Sequence, residues 1–362
     1  MKKMKTFGLG IAAAMFALTL AGCGSNNNNN AEPAASPSAS ASPSASAPAS
    51  SEAPASEAAV TYPITIKHAF GETVLEKKPE RVATIQWANH DVVLALGVVP
   101  VGFSASNYGV ADDSGMNPWT AAKVKELGVD KPNIYQDTDG LDFEAISDSN
   151  PDVILAAYSG ITKEDYETLS AIAPTVAYPT NPWLTTWREQ ILLNSEGMGM
   201  KAEGEKLLQD SENIIKEKLS AYPQIAGKKA VMASFSATDL SKFWVYTPGD
   251  PRAAFLLDLG MTYPESAQNL AKPGEFTVEI SAENADALND ADIIVTYSDE
   301  SLVAAMQADP LLSKIPAVKN GAIVTVGDNT PLAASINPNP LSILFTMDEY
   351  LKLIGAAADK VQ

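Results

Sequence analysis

The residues of this sequence whose types and spacing suit chemistry are aromatic and cationic, which favours holding a ligand over cutting bonds. Trp87, Tyr108, Tyr158, Tyr178, Trp183, Phe235, Tyr246 and Tyr297 stand at or just beyond the ends of short apolar runs, with Asn89 beside the first. Trp187, Arg188, Trp244 and Arg252 fall in the same stretches. Large rings bring apolar contact area with a polar tip and lose little freedom on binding, which suits a bulky organic ligand. A guanidinium adds a planar donor for an anionic ligand oxygen. Trp187 and Trp244 fit core positions equally well, and Arg252 also fits an exposed helix face.

Nucleophiles and metal ligands are poorly represented. The sequence contains no G-x-S-x-G, Walker-type loop, G-x-G-x-x-G or H-E-x-x-H, so no enzymatic step is expected. His68 and His90, the two histidines, read as structural, and with one cysteine there is little from which to build a protein metal site. Asp137-Thr138-Asp139-Gly140-Leu141-Asp142 hints at calcium. Its glycine is misplaced for an EF-hand and no glutamate closes the loop. No cofactor and no protein-held metal are expected.

Elements that would carry the aromatic loops follow from the apolar pattern. Strands are predicted at 81–86, 98–101, 152–157, 175–178, 229–235, 292–296 and 322–326, with helices at 90–96, 163–173, 281–288 and 340–354. A hairpin around Gly71 precedes them. Alternation of this kind predicts parallel sheets with crossover helices, where ligands sit outside the carboxyl ends of the strands. Residues 184–220 break the rhythm with a helical period and would span ~50 Å as one helix. The expected fold is α/β: two Rossmann-like lobes, 61–183 and 221–362, joined by a single long helix, with a ligand cleft between them. Glu144 lies fourteen residues before Tyr158-Ser159, and Glu283 fourteen before Tyr297-Ser298. A repeated lobe would produce that echo.

Lys2, Lys3 and Lys5 precede an apolar run from Phe7 to Leu20, the parts of a signal peptide over 1–22. It ends in Leu20-Ala21-Gly22-Cys23, which resembles a bacterial lipobox with Cys23 as the lipidated residue. The Asn- and Ala/Ser/Pro-rich stretch up to residue 60 buries too little apolar surface to fold and reads as a tether. A net charge of −19 argues against nucleic acid, whose binding depends on basic contacts to phosphate.

Several stretches carry a family resemblance: Ile64-Thr65-Ile66-Lys67-His68-Ala69-Phe70-Gly71, Pro79-Glu80-Arg81-Val82-Ala83, the run Leu94 to Gly102, and Asn150-Pro151-Asp152-Val153-Ile154. In order and spacing they resemble the iron-siderophore binding lipoproteins of ABC importers, the class that also holds vitamin B12 and haem binders. The resemblance implies a monomer, anchored to the outer face of the cell membrane by lipid, that captures a ferric siderophore and delivers it to a permease dimer with its ATPase. It implies that Glu144 and Glu283 dock onto the permease and that the siderophore itself holds the iron. With only two candidate cleft arginines, Arg188 and Arg252, a hydroxamate or citrate-hydroxamate complex is favoured over a trianionic catecholate. Haem, with Tyr158 or Tyr178 as axial ligand, and cobalamin are alternatives on the same scaffold, as is a surface-anchored protein of another class reusing the fold.

Overall fold

The computed structural model describes residues 60–110, 112–137 and 139–361. The expected signal peptide, Cys23 and all of the expected tether but Val60 lie outside them. Strands β1 (Ile64–His68) and β2 (Gly71–Leu75) form an antiparallel hairpin that turns through Ala69 and Phe70, with Gly71 opening β2. The first lobe is built on β3 (Val82–Thr84), β4 (Gly102–Ser104), β5 (Ile134–Tyr135), β6 (Val153–Ala156) and β7 (Thr175–Ala177). They are all parallel, in the order β5-β4-β3-β6-β7. Every residue of β3, β6 and β7 is buried, as strands covered on both faces must be, and they read as unbroken apolar runs for that reason.

The second lobe uses β8 (Ala230–Ser236), β9 (Asp239–Tyr246), β10 (Thr277–Ser281), β11 (Ile293–Thr296) and β12 (Ile323–Thr325). Their order is β10-β9-β8-β11-β12. Here the all-parallel expectation needs correction. Strands β8, β11 and β12 are parallel, but β9 runs antiparallel to both its neighbours, β8 and β10. Only Ala237 and Thr238 separate β8 from β9, and a two-residue link can join only antiparallel neighbours. Apart from this edge the lobes match: β3-β6-β7 and β8-β11-β12 are the same parallel trio.

Residues 184–220 form two helices, Trp187–Gly197 and Lys201–Leu219. The break falls at Gly199, whose φ of 63° is open to glycine without steric cost. The pair folds back on itself, so that Arg188 at the start of the first meets Glu212 in the second at 2.7 Å. Gly204 permits the approach, because a side chain there would collide with Ser195. The second helix carries Ile215 into the core shared by the two lobes. The segment predicted as helix 281–288 is 3₁₀, kinked at Asn284.

Apolar packing runs continuously from lobe to lobe. Val92, Trp187 and Ile191 join Met232, Phe255, Val295, Ile343 and Leu351 in one cluster. The final helix, Pro340–Ala358, begins with Leu341 packed among Phe103 and Trp119 of the first lobe and ends in the second. Beneath it, the buried Asp91 carboxylate accepts hydrogen bonds from Trp119 Nε1 and Thr120 Oγ1, both 2.7 Å. His90 stacks on Phe103 at 4.9 Å, and burial lowers its pKa so that it stays neutral.

Candidate functional site

Loops at the carboxyl ends of both sheets enclose a cavity of about 780 Å³, inside the range of small-molecule sites. The first lobe contributes Trp87, Tyr108, Tyr158 and Trp183; the second contributes Phe235, Tyr246, Arg252 and Tyr297, together with the β8–β9 turn.

Each aromatic is held by a specific device. Trp87 sits between Gln86 and Ala88, whose φ values are 62° and 58°. Asn89 fixes that turn from below: its Nδ2 donates to the carbonyls of Ile85 (2.8 Å) and Tyr158 (2.9 Å), and its Oδ1 accepts from the Tyr158 amide (3.1 Å). Asn89 is therefore buried, and it positions the site without lining it. Trp183, with φ 62°, lies across Gly160, where any side chain would collide with the indole, and meets Tyr158 edge-on at 5.3 Å. Ser298 (φ 145°) and Asn329 (φ 52°) lie on the opposite wall's loops. Such conformations cost roughly 1–3 kcal/mol each and persist where the surroundings over-determine them. Five of the six described non-glycine residues with positive φ thus lie on cavity loops, the sixth being Asn150.

Arg252 is the cation of the site. Asp250 caps the helix Pro251–Asp258 and takes Arg252 Nε at 2.8 Å and Nη2 at 2.6 Å. Nη1 donates to the Tyr297 hydroxyl at 3.2 Å, and the guanidinium covers the Tyr246 ring at 4.0 Å. Three of the five guanidinium N–H groups are used in this way, which leaves two for a ligand. Burial alone would lower the Arg252 pKa, but Asp250 and the neighbouring tyrosines outweigh it and hold it well above the usual value. Burial pushes Tyr246 up to about 12 and also raises Tyr108, Tyr158 and Tyr297. All four are neutral phenols at physiological pH.

Direct bonds between lobes close one side of the cavity. Tyr108 Oη donates to Asp328 Oδ1 (3.0 Å), the Gly109 amide to Asn329 Oδ1 (2.7 Å), and Asn337 Nδ2 to Tyr158 Oη (3.1 Å). Gly109 lies against Ala334 and the Thr330 carbonyl, with no space for a side chain.

Four further residues singled out from sequence do not reach the cavity. Tyr178 is buried in the first lobe with its hydroxyl donating to the Ile161 carbonyl at 3.1 Å. Trp187 is buried in the inter-lobe core and donates to Asp258 at 2.8 Å. Arg188 pairs with Glu212 and Asp258, at 2.7 and 2.8 Å. Trp244 lies on β9 under the Lys242 ammonium, 5.0 Å from its ring centroid. Glu144 and Glu283 are exposed, one per lobe, each just ahead of the matching strand β6 or β11. Sequence reasoning missed Phe276, Asp328 and Asn337 as wall residues. The nearest signal for the last two was the end of the predicted strand 322–326, beyond which both lie. Asp137 accepts a hydrogen bond from Ser104, and among the described residues no group of His, Cys, Asp and Glu is arranged to hold a metal ion.

Two α/β lobes with a continuous core and one aromatic cavity between their strand ends define a two-lobed solute-binding protein. Residues 82–330 match the periplasmic binding protein family, and the chain belongs to it. PiaA of Streptococcus pneumoniae TIGR4, solved in complex with ferrichrome, is 55% identical, covers 83% of this chain and all of its own, and superposes with a TM-score of 0.80. Staphylococcus aureus SirA complexed with staphyloferrin B is 25% identical over 82% of this chain and 98% of its own, with a TM-score of 0.61. The Fe(3+) dicitrate-binding periplasmic protein FecB of Escherichia coli K12 is 24% identical over 74% of this chain and 86% of its own length.

Proposed function

We propose that this chain is the extracytoplasmic substrate-binding component of an ABC importer, capturing a ferric siderophore of hydroxamate or citrate-hydroxamate type and delivering it to the permease. The observation that carries this reading is the aromatic cavity with a single, pre-oriented Arg252, in a chain 55% identical to a ferrichrome-bound protein. The rings shape an apolar wall for the organic shell of the complex, and the two spare guanidinium N–H groups face iron-bound oxygens. Iron stays with the siderophore, and no enzymatic step is involved. The signal sequence 1–22 and lipidated Cys23 hold a monomer at the outer face of the membrane, and Glu144 and Glu283 meet the permease.

Haem is disfavoured by the tyrosines. The Tyr178 hydroxyl points into the core, and that of Tyr158 is a neutral phenol accepting from Asn337. Tryptophan fluorescence separates the readings. Titration with a ferric trihydroxamate should quench Trp87 and Trp183 saturably, whereas haemin and cobalamin should not. Quenching by haemin or cobalamin alone would overturn the proposal.

Gly160→Ala supplies a second test. The new methyl pushes the Trp183 indole off its seat, so affinity for the ferric trihydroxamate should fall about tenfold, the ~1.4 kcal/mol of a spoiled aromatic contact. Isothermal titration would measure the change. Unaltered affinity would remove Trp183 from the contact surface.

A further inference from the structure

The charges around the cavity are arranged against anions. Arg252 and Asp328 are the charged side chains on its wall. Asp328 is exposed and held in place by Tyr108. Directly behind Arg252, Asp250 is 0% exposed and makes two hydrogen bonds with the guanidinium, cancelling its charge. Lysines on neighbouring segments are paired as well: Lys242 with Glu279 at 2.9 Å, and Lys272 with Glu275 at 3.7 Å. Counting Arg252, Asp250 and Asp328, the site carries one net negative charge, within a chain of net charge −19. Arg252 thus offers directional N–H donors without an attractive field at longer range.

We infer that Asp250 and Asp328 are specificity determinants that make this cavity select ferric complexes of zero or positive net charge and reject anionic ones. Among the two siderophore types of the proposed function, on which this inference rests, it selects the hydroxamates over the citrate-hydroxamates. A neutral ferric trihydroxamate meets the guanidinium N–H groups and loses nothing to the carboxylates. A trianionic tris-catecholate is repelled by the residual charge from close range in a partly desolvated site, where such repulsion is least screened. Asp250 has a second effect: by gripping Nε and Nη2 it fixes the orientation of the guanidinium on the cavity wall.

The test uses the folded protein and four ferric probes of graded charge: a trihydroxamate carrying a free amine, a neutral trihydroxamate, an anionic citrate-hydroxamate and a tris-catecholate. Wild-type affinity should be similar for the first two and roughly a hundredfold weaker for the tris-catecholate, with the gap narrowing as salt rises. Asp250→Asn keeps a helix-capping side chain and should narrow the neutral-to-trianionic ratio about tenfold; Asp328→Asn should narrow it severalfold. Equal wild-type affinity for neutral and trianionic complexes would overturn the inference while leaving siderophore capture intact. An unchanged ratio in Asp328→Asn would overturn the role of that residue even if Asp250→Asn failed to fold. Absence of binding to any of the four would instead sink the functional proposal beneath it.

Discussion

Replacing Arg252 by alanine is expected to remove most of the ligand affinity and a large part of the folding stability at once. The affinity loss follows from the two guanidinium N–H groups left unpaired on a residue that lines the cavity. Hydrogen bonds to a charged group are worth about 1.5–3 kcal/mol, so ferric trihydroxamate binding should weaken about ten- to a hundredfold. The stability loss has another origin. Asp250 is fully buried beside Arg252, and stripping a buried ion pair of one partner costs about 3–5 kcal/mol. The double variant Arg252→Gln with Asp250→Asn separates the two effects, because it leaves no uncompensated charge. Denaturant unfolding should show most of the stability restored, while titration still shows weak binding. If Arg252→Ala kept full affinity, the guanidinium would be an internal strut and no part of the ligand surface.

The second large effect concerns transport. Glu144→Ala together with Glu283→Ala should leave ligand affinity unchanged and reduce uptake of radiolabelled ferric siderophore to background in cells that depend on this protein. Neither carboxylate approaches the cavity wall, and each projects from its lobe just ahead of an equivalent strand, β6 or β11. Charges of this kind govern encounter and orientation with a partner. Either single variant should retain partial uptake, since one lobe can still dock. Full uptake by the double variant would show that the permease grips the protein elsewhere.

What the sequence revealed depended on whether the signal was local. The parallel core of each lobe was legible because buried strands are short apolar runs between helical patterns. The antiparallel edge was not, because Ala237-Thr238 lacks the Asn-Gly chemistry that announces a tight hairpin. No strand was predicted over Phe243–Tyr246, although Phe243 and Val245 are buried and Trp244 and Tyr246 less so, the alternation of a strand. The break at Gly199 was foreshadowed by a glycine pair, but helical periodicity continued across it. Within the site, the strand-end rule led to Trp87, Tyr108, Tyr158 and Tyr297, since position along a strand suffices there. It could not sort Trp187 and Arg188 from Trp183. These residues are within a turn of one another, and only the capping of the helix by Thr186 and Glu189 decides that Trp187 and Arg188 face Asp258. Asp328 and Asn337 become wall residues through contacts with Tyr108 and Tyr158, more than 170 positions away.

The apolar core that continues from lobe to lobe limits what the transporter can sense. With Ile191, Ile343 and Leu351 packed in one cluster and the helices 201–219 and 340–358 crossing it, the span between Glu144 and Glu283 is expected to change little when the cavity fills. Occupancy then cannot be signalled by a change in that span. An importer gripping both carboxylates would hold loaded and unloaded carriers in the same footing, and would have to read cargo at the cavity mouth or prise the lobes apart itself, with ATP supplying the work. Loaded carrier should therefore gain little over empty carrier in competition for the permease.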